Sequence, residues 1–202
     1  MSMTDSIPSS LSRLKAEFEK LPGIGPRSAD RLAFHILKSS KDTASALASA
    51  IRDVKEQVRH CRVCYNLTEA DPCPICSDPR RDQGQVFVVE QPKDVQLLES
   101  TGLIRGVYHV LLGHIAPLDG VEPGDLTIEA LVSRAKAGGL EEVVIATNPT
   151  MEGEGTALHI KSLLAATGIK ITQLARGLPT GSQLEYASRA ILQDAIDGRR
   201  EY

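Results

Sequence analysis

All four cysteines of the 202-residue chain lie close together, as two CxxC pairs. Cys61 and Cys64 form the first pair, and Cys73 and Cys76 form the second after an interval of eight residues. Two such hairpins can bring four thiolates to one tetrahedral centre, which is the closed shell of a structural zinc ion. The alternatives are redox pairs, which usually occur singly at a helix start, or disulfides, which belong to secreted chains. We therefore predict one structural Zn²⁺ per chain, with no coordination position open for catalysis.

Acidic and amide residues follow two of the apolar segments that predict strands. Glu90 ends the first strand, and Asn148, Glu152 and Glu154 follow the third. Because function gathers at the carboxyl ends of parallel strands, these carboxylates could hold Mg²⁺ for phosphoryl chemistry. The alternative is that Glu152 and Glu154 only favour a helix N-terminus. The residues taken alone favour this alternative.

A glycine-rich turn near the amino terminus suggests a phosphate contact. The turn contains Gly23 and Gly25 and is followed by a proline, so its backbone N–H groups can approach an anion at a helix N-terminus. Arg27 and Arg31 lie one helical turn apart, close enough to meet neighbouring phosphates. A dinucleotide fingerprint is excluded because it must follow a strand, and the preceding segment is helical. The pattern predicts a helix-hairpin-helix that grips the DNA backbone; a helical hairpin without a ligand is the alternative.

The elements that must position these residues fall into two classes. Apolar spacing predicts helices over 9–20, from about 27 through 37, and over 43–60. Beyond the cysteines, apolar strands alternate with helices, which predicts a mainly parallel sheet covered on both faces. The predicted strands are 86–89, 107–112, 143–146 and 169–174, and the predicted helices are 94–99, 128–137 and 156–166. The fold class is thus α/β plus a small all-α module.

Composition limits the function further. The net charge is −3, but residues 1–83 carry 13 Lys and Arg against 11 Asp and Glu, whereas residues 84–202 carry 10 against 15. The amino-terminal half therefore tolerates phosphate better, and the other half suits a basic partner. Aromatic residues make up only 3%, which argues against stacking platforms for single strands. With no signal peptide, no membrane-length apolar run and metal-type cysteines, the expected location is cytoplasmic.

The motifs in this order resemble one family, the RecR family of bacterial recombination mediators, over nearly the whole chain. The segments that carry the resemblance are Leu21-Pro-Gly-Ile-Gly-Pro-Arg-Ser-Ala, Arg31-Leu-Ala-Phe-His-Ile-Leu, the four-cysteine knuckle, Val88-Val-Glu-Gln-Pro-Lys-Asp-Val, Gly113-His-Ile-Ala-Pro-Leu-Asp-Gly, Ala146-Thr-Asn-Pro-Thr-Met-Glu-Gly-Glu-Gly-Thr-Ala and Ala175-Arg-Gly-Leu-Pro-Thr-Gly-Ser-Gln-Leu-Glu-Tyr. The resemblance implies a helix-hairpin-helix region over 1–58, a zinc finger over 59–83, a Toprim domain over 84–177, and a C-terminal helix and oligomerisation arm over 178–202.

The resemblance also bears on catalysis. Catalytic Toprim proteins carry Asp-Pro-Asp-Arg-Glu-Gly-Glu after the third strand, where this chain reads Asn148-Pro-Thr-Met-Glu-Gly-Glu. Both metal-binding aspartates are neutral here, which weakens any Mg²⁺ site and implies that the protein is not an enzyme. The alternative is a Mg²⁺-dependent Toprim nuclease or topoisomerase that uses Glu90, Glu152 and Glu154. A nucleotide site at the Gly153–Gly155 turn is disfavoured, because the adjacent glutamates would repel a phosphate.

The resemblance finally implies partners. Family members form ring-like clamps and act with RecO and RecF to load RecA onto single-stranded DNA covered by single-strand-binding protein. By matching positions, the residues that bind DNA are Gly23, Gly25, Arg27 and Arg31. The four cysteines are the zinc ligands and would fix the angle between the two halves. The acidic partner surface consists of Glu90, Asp94, Glu152 and Glu154. A homo-oligomeric ring, expected as a tetramer, would raise avidity for DNA without any new contact. The implied location is the nucleoid.

Overall fold

The computed structural model describes residues 7–199. The chain divides into two compact units at Val58 and Arg59. The predicted fold class is confirmed, since the smaller unit is helical and the larger unit contains a parallel sheet with helices. Within residues 7–199, no helix is both long enough and apolar enough to cross a lipid bilayer.

Residues 7–58 of the smaller unit form three helices, α1 (Ser9–Glu19), α2 (Pro26–Lys38) and α3 (Lys41–Gln57). Leu11 of α1 and Ala29 and Ala33 of α2 are buried, so small side chains let the two helices pack closely. The predicted third helix was too long, because it ends at Gln57 rather than at residue 60. Arg59 and His60 pair instead with a strand further along the chain.

The larger unit begins with a small knuckle. Its strands β1 (Arg59–His60) and β2 (Leu67–Thr68) pair in antiparallel fashion, and the short helix α4 (Pro74–Ser77) follows. The first CxxC pair directly follows β1, and the second spans the start of α4. The knuckle runs directly into the first strand of the main sheet.

The main sheet has four parallel strands in the order β4-β3-β5-β6. The strands are β3 (Asp82–Val89), β4 (Gly106–Val110), β5 (Glu142–Ile145) and β6 (Lys170–Gln173). Valine side chains on β3 alternate between the two faces, so that Val86 and Val88 enter one apolar core and Val89 enters the other. The carboxyl ends of β3 and β5 are neighbours, which places Glu90 beside the loop that follows β5.

Beyond α4, residues 78–199 of the larger unit form four α-helices: α5 (Pro92–Ser100), α6 (Ile128–Lys136), α7 (Met151–Leu164) and α8 (Arg189–Asp197). Helix α7 begins five residues before the predicted start, because the Thr150 hydroxyl accepts a hydrogen bond from Gly153 N at 3.1 Å and caps the first turn. The C-terminal helix is present as α8, capped by Ser188. The end of the predicted arm, residues 200–202, lies outside the described residues.

Candidate functional sites

The four cysteine sulfurs form a cluster that fits a zinc ion. They lie within 4.8 Å of one another, and the Sγ atoms of Cys64 and Cys73 are 3.6 Å apart. A tetrahedral zinc with sulfur ligands at about 2.3 Å places those sulfurs roughly 3.8 Å apart. None of the four is disulfide-bonded, and three of them are buried. The donor set and its spacing therefore match the predicted closed, structural Zn²⁺ site.

Hydrogen bonds within the cluster shift the thiol pKa values in opposite directions, so that Cys73 is the favoured thiolate while Cys64 and Cys76 hold their protons. Backbone N–H groups of Cys73 and Cys76 point at the sulfurs of Cys61 and Cys73, at 3.3 and 3.4 Å. Hydrogen bonds from Cys64 and Cys76 lower the pKa of Cys73 to about 2. The hydrogen bond with Cys73 raises the pKa of Cys64 to about 12. Binding of Zn²⁺ would therefore release protons from the cluster.

The knuckle is joined to the edge of the main sheet. Val110 N donates a hydrogen bond to Cys64 O at 2.8 Å, which links the first CxxC turn to strand β4. The ring of Tyr65 meets the buried ring of His109 edge-on, with centroids 5.4 Å apart. Ile75 of the second CxxC turn packs against both apolar cores. The metal site therefore stabilises this side of the larger unit.

A half-buried arginine near the cysteines, Arg134, was not predicted from the sequence. Arg134 of α6 donates to Tyr108 O at 3.0 Å. Burial lowers its pKa, and the nearby sulfurs of Cys76, Cys64 and Cys61 oppose that effect. Since Zn²⁺ with four thiolates carries a net charge of −2, the guanidinium lies where it compensates part of that charge. The sequence signal that could have identified it was one basic residue, Arg134, on an otherwise apolar face of α6.

The glycine turn between α1 and α2 has the geometry of a backbone-binding hairpin. Gly23 adopts a positive φ of 77°, which favours glycine, and Gly25 is the extended N-cap of α2. Among the described residues, nothing lies within 4 Å of a Cβ added at either glycine, so the turn is open on its outer side. Arg27 and Arg31 are both exposed on α2. The turn thus presents backbone N–H groups and two cations to solvent.

The predicted acidic residues are not all at the surface. Glu90 is only 3% exposed, which contradicts its assignment to an acidic partner surface. Its Oε1 accepts from Asn148 N at 2.8 Å, and its Oε2 accepts from Asn148 Nδ2 at 2.7 Å. Nδ1 of His114 is 3.1 Å from the same Oε2. No local pattern indicated this burial, because the partners come from distant loops.

The other three carboxylates have separate surroundings. Asp94 accepts a hydrogen bond from Gln91 N at 2.8 Å and so caps α5. Glu154 accepts from Gln173 Nε2 at 2.9 Å and pairs with Arg176. Glu152 is exposed. The structure does not join these residues and Glu90 into one carboxylate cluster; within the described residues, only the four cysteines form a potential metal-binding group.

Comparison with known families finds the three modules that the sequence predicts, in the predicted order. The RecR helix-hairpin-helix family matches residues 11–55, and the RecR four-cysteine zinc finger domain family matches residues 58–78. The Toprim domain family matches residues 84–175. Each match covers one of the sites described above.

Full-length relatives decide the family. The chain is 54% identical to "Recombination protein RecR" of Rhodopirellula baltica over 190 residues, which cover 94% of this chain and 96% of the relative. The proteins of the same name from Koribacter versatilis and Rubrobacter xylanophilus are 49% and 52% identical, each over 95% of this chain and 96% of the relative. The chain belongs to the RecR family. The predicted family, its zinc ion and a role in recombinational repair are therefore confirmed.

Proposed function

We propose that the protein is a non-enzymatic mediator that grips DNA without reading its sequence. In this proposal it forms a ring-like homo-oligomer, a tetramer, and acts with RecO and RecF to load RecA onto single-stranded DNA at the nucleoid. The observation that carries the proposal is the hairpin: an open Gly-x-Gly turn at the start of α2, followed by the exposed Arg27 and Arg31 on that helix. Phosphate contacts of this kind position a protein on DNA but carry no sequence information.

A ring accounts for DNA binding by an acidic protein. One chain carries a net charge of −3 and offers only a small basic surface. Several hairpins joined in one assembly convert later contacts into intramolecular ones and raise avidity. The resulting binding would be strongly salt-dependent, because each neutralised phosphate releases counterions.

The partner surface is proposed to centre on Glu152. This carboxylate is exposed, and Met151 beside it is 87% exposed. A surface depression of about 420 Å³ adjoins both residues and is lined also by Ile115, Pro117 and Glu122. Apolar and acidic groups together suit a partner segment with apolar and basic side chains. Asp94 and Glu154 would contribute less, since each is half-buried and already accepts a hydrogen bond.

The absence of catalysis is part of the same proposal. A Mg²⁺ clamp needs carboxylate oxygens that are free to coordinate. Both oxygens of Glu90 accept hydrogen bonds from Asn148, and Glu154 is engaged by Gln173 and Arg176. These contacts weigh against the nuclease or topoisomerase alternative.

The experiment uses supercoiled plasmid with Mg²⁺ at low and moderate salt, followed by gel electrophoresis that reports both mobility and integrity. The proposal expects intact, retarded plasmid, with the retardation fading as salt rises. A second assay measures RecA ATP hydrolysis on circular single-stranded DNA covered by single-strand-binding protein. Addition of this protein with RecO should shorten the lag. Nicking that persists through purification and disappears in Glu152→Gln would overturn the proposal in favour of the enzyme.

A further inference from the structure

The buried carboxylate of Glu90 is held mainly by a neutral residue rather than by a cation. It lies at the carboxyl end of β3 with 4% of its side chain exposed. Burial of an ionised carboxylate is costly unless it is paired and fully hydrogen-bonded. Among the ion pairs of residues 7–199, its one candidate counter-charge is His114. The two short hydrogen bonds to Glu90 come instead from the neutral Asn148.

Asn148 also supports the first turn of α7. Its carbonyl oxygen accepts a hydrogen bond from Thr150 N at 2.9 Å. A Cβ on Gly153 would lie 2.0 Å from that oxygen and 3.0 Å from Oε1 of Glu90, so helix and loop are in direct contact. Thr147 Oγ1 donates to Gly153 O at 3.1 Å on the same turn. The position of α7 therefore depends on the loop that Glu90 and Asn148 hold.

The neighbouring loop is tied to the same turn. Thr156 Oγ1 donates to Glu152 O at 2.7 Å and accepts from Ile115 N at 2.9 Å. Ile115 directly follows His114, the second residue that contacts the Glu90 carboxylate. The loops that follow β3, β4 and β5 thus meet at the buried carboxylate of Glu90.

We infer that Asn148 takes the place of a cation: with Glu90 and His114 it forms a metal-free clamp that fixes the loops after β3, β4 and β5 and the first turn of α7. The N–H of the amide Nδ2 donates to Oε2 and supplies there the partial positive charge that a metal ion would otherwise supply. Asn148 is a positioning residue, which acts by holding the backbone that presents Met151 and Glu152. The clamp itself stands independently of the proposed function of that surface.

The chemistry predicts what an aspartate at this position would do. Asn148→Asp replaces an N–H donor by a second carboxylate oxygen about 2.7 Å from Oε2 of Glu90. Two carboxylates at this distance cannot both stay ionised without a cation or a shared proton. The clamp would then require a divalent ion or, at lower pH, a shared proton. The double variant Glu90→Gln with Asn148→Asp exchanges donor and acceptor and so restores the hydrogen bond without a cation.

The test measures the melting temperatures of the wild type, Asn148→Asp and the double variant, in zinc-replete buffer without chelator. Each is measured with millimolar Mg²⁺ or Mn²⁺ and with KCl of equal ionic strength. Asn148→Asp should melt roughly 5–10 °C lower in KCl and should regain at least half of the loss with a divalent ion. Its deficit should grow as the pH rises and the shared proton is lost. The double variant should melt near the wild type and respond to neither ion.

Three outcomes would overturn the inference. One is Asn148→Asp with wild-type stability in KCl. Another is a wild type stabilised by Mg²⁺ or Mn²⁺ as much as Asn148→Asp is. The third is a double variant that melts as low as Asn148→Asp, since shape rather than charge would then matter. If Asn148→Asp fails to fold in KCl, folding of the double variant supports the clamp, and its failure contradicts it.

Discussion

Asn148 binds both oxygens of Glu90, through its backbone nitrogen at 2.8 Å and its side-chain amide at 2.7 Å. The two residues are 58 positions apart and join the ends of adjacent parallel strands. The carboxyl ends of the strands are where ligands ordinarily bind to a parallel sheet. In this protein the chain itself occupies that end of the sheet, and the neighbouring Met151 and Glu152 are exposed.

Gly153 and Gly155 provide a matched pair for testing the packing of α7. Gly153→Ala should destabilise the protein by about 2–3 kcal/mol, because the new methyl would lie 2.0 Å from Asn148 O and the backbone must shift. Gly155→Ala should be neutral or stabilising by up to about 1 kcal/mol, since nothing among the described residues lies within 4 Å of the added Cβ. Urea denaturation checks both. Equal effects of the two substitutions would contradict the close approach of the helix to Asn148.

The hairpin prediction concerns DNA affinity. Arg27→Ala combined with Arg31→Ala should weaken binding at low salt by at least tenfold and should lower the salt slope by roughly 2 per chain, because two phosphate contacts are lost. Fluorescence anisotropy over a salt series measures both quantities. The control is Arg52→Ala, which removes another exposed arginine of the smaller unit and should change neither. An unchanged slope in the double variant would refute the contact, provided that its melting temperature is also unchanged.

Loss of zinc should loosen the edge of the sheet. Cys73→Ser should reduce the zinc content from one ion per chain towards zero and lower the melting temperature, since a structural zinc contributes directly to folding. The Val110 amide, which donates to Cys64 O, should then exchange hydrogen faster. Elemental analysis and hydrogen exchange are the measurements. Arg80→Ala, at an exposed position beside the knuckle, is the control and should retain the metal.

The buried His109 predicts a pH effect on stability. Nε2 lies 3.0 Å from Thr127 O, which can only accept, so this nitrogen carries the proton of the neutral ring. Burial, opposed by the hydrogen bond to Thr127 O and aided by the nearby charge of Arg134, lowers the pKa of His109 from 6.5 to about 4. Between these values the unfolded chain binds a proton that the folded chain does not, so stability falls as the pH drops from about 6.5 to 4. The expected loss is about 3 kcal/mol.

His109→Gln isolates this effect, because glutamine keeps a donor for Thr127 but cannot be protonated. The difference in unfolding free energy between the wild type and this variant should vary over the pH range from about 6.5 to 4 and be constant above it. Taking the difference removes contributions common to both proteins, including acid release of zinc. A constant difference over the whole range would show that His109 is not buried in its neutral form.

The partner surface is tested by charge reversal. Glu152→Lys should weaken the binding of RecO or RecF at least tenfold and should leave DNA affinity unchanged. Glu141→Lys is the matched control, because Glu141 is also exposed but directly precedes β5, at the opposite end of the strands. Surface plasmon resonance with purified partners gives both affinities. Equal loss in the two variants would indicate a general effect of charge rather than a local surface.

Local patterns predicted the zinc ligands and the strand–helix alternation, because CxxC spacing and apolar periodicity are visible within short segments. The burial of Glu90 was not predictable in this way, since it depends on donors at His114 and Asn148. The start of α7 was missed because Gly153 and Gly155 weaken helix propensity, whereas the Thr150 cap and contact with Asn148 override it. The end of α3 was missed because β1 forms only by pairing with β2.

The knuckle has a further consequence for the growth of the sheet. Strand β4 lies at one edge, where Cys64 of the knuckle takes the hydrogen bond of Val110. Strand β6 lies at the other edge, and no strand of residues 7–199 pairs with its outer side. An unpaired edge is a template for another chain, whereas a covered one is not. Strand addition, whether in an ordered assembly or in aggregation, is thereby favoured on the β6 side, since the first CxxC turn occupies part of the β4 edge.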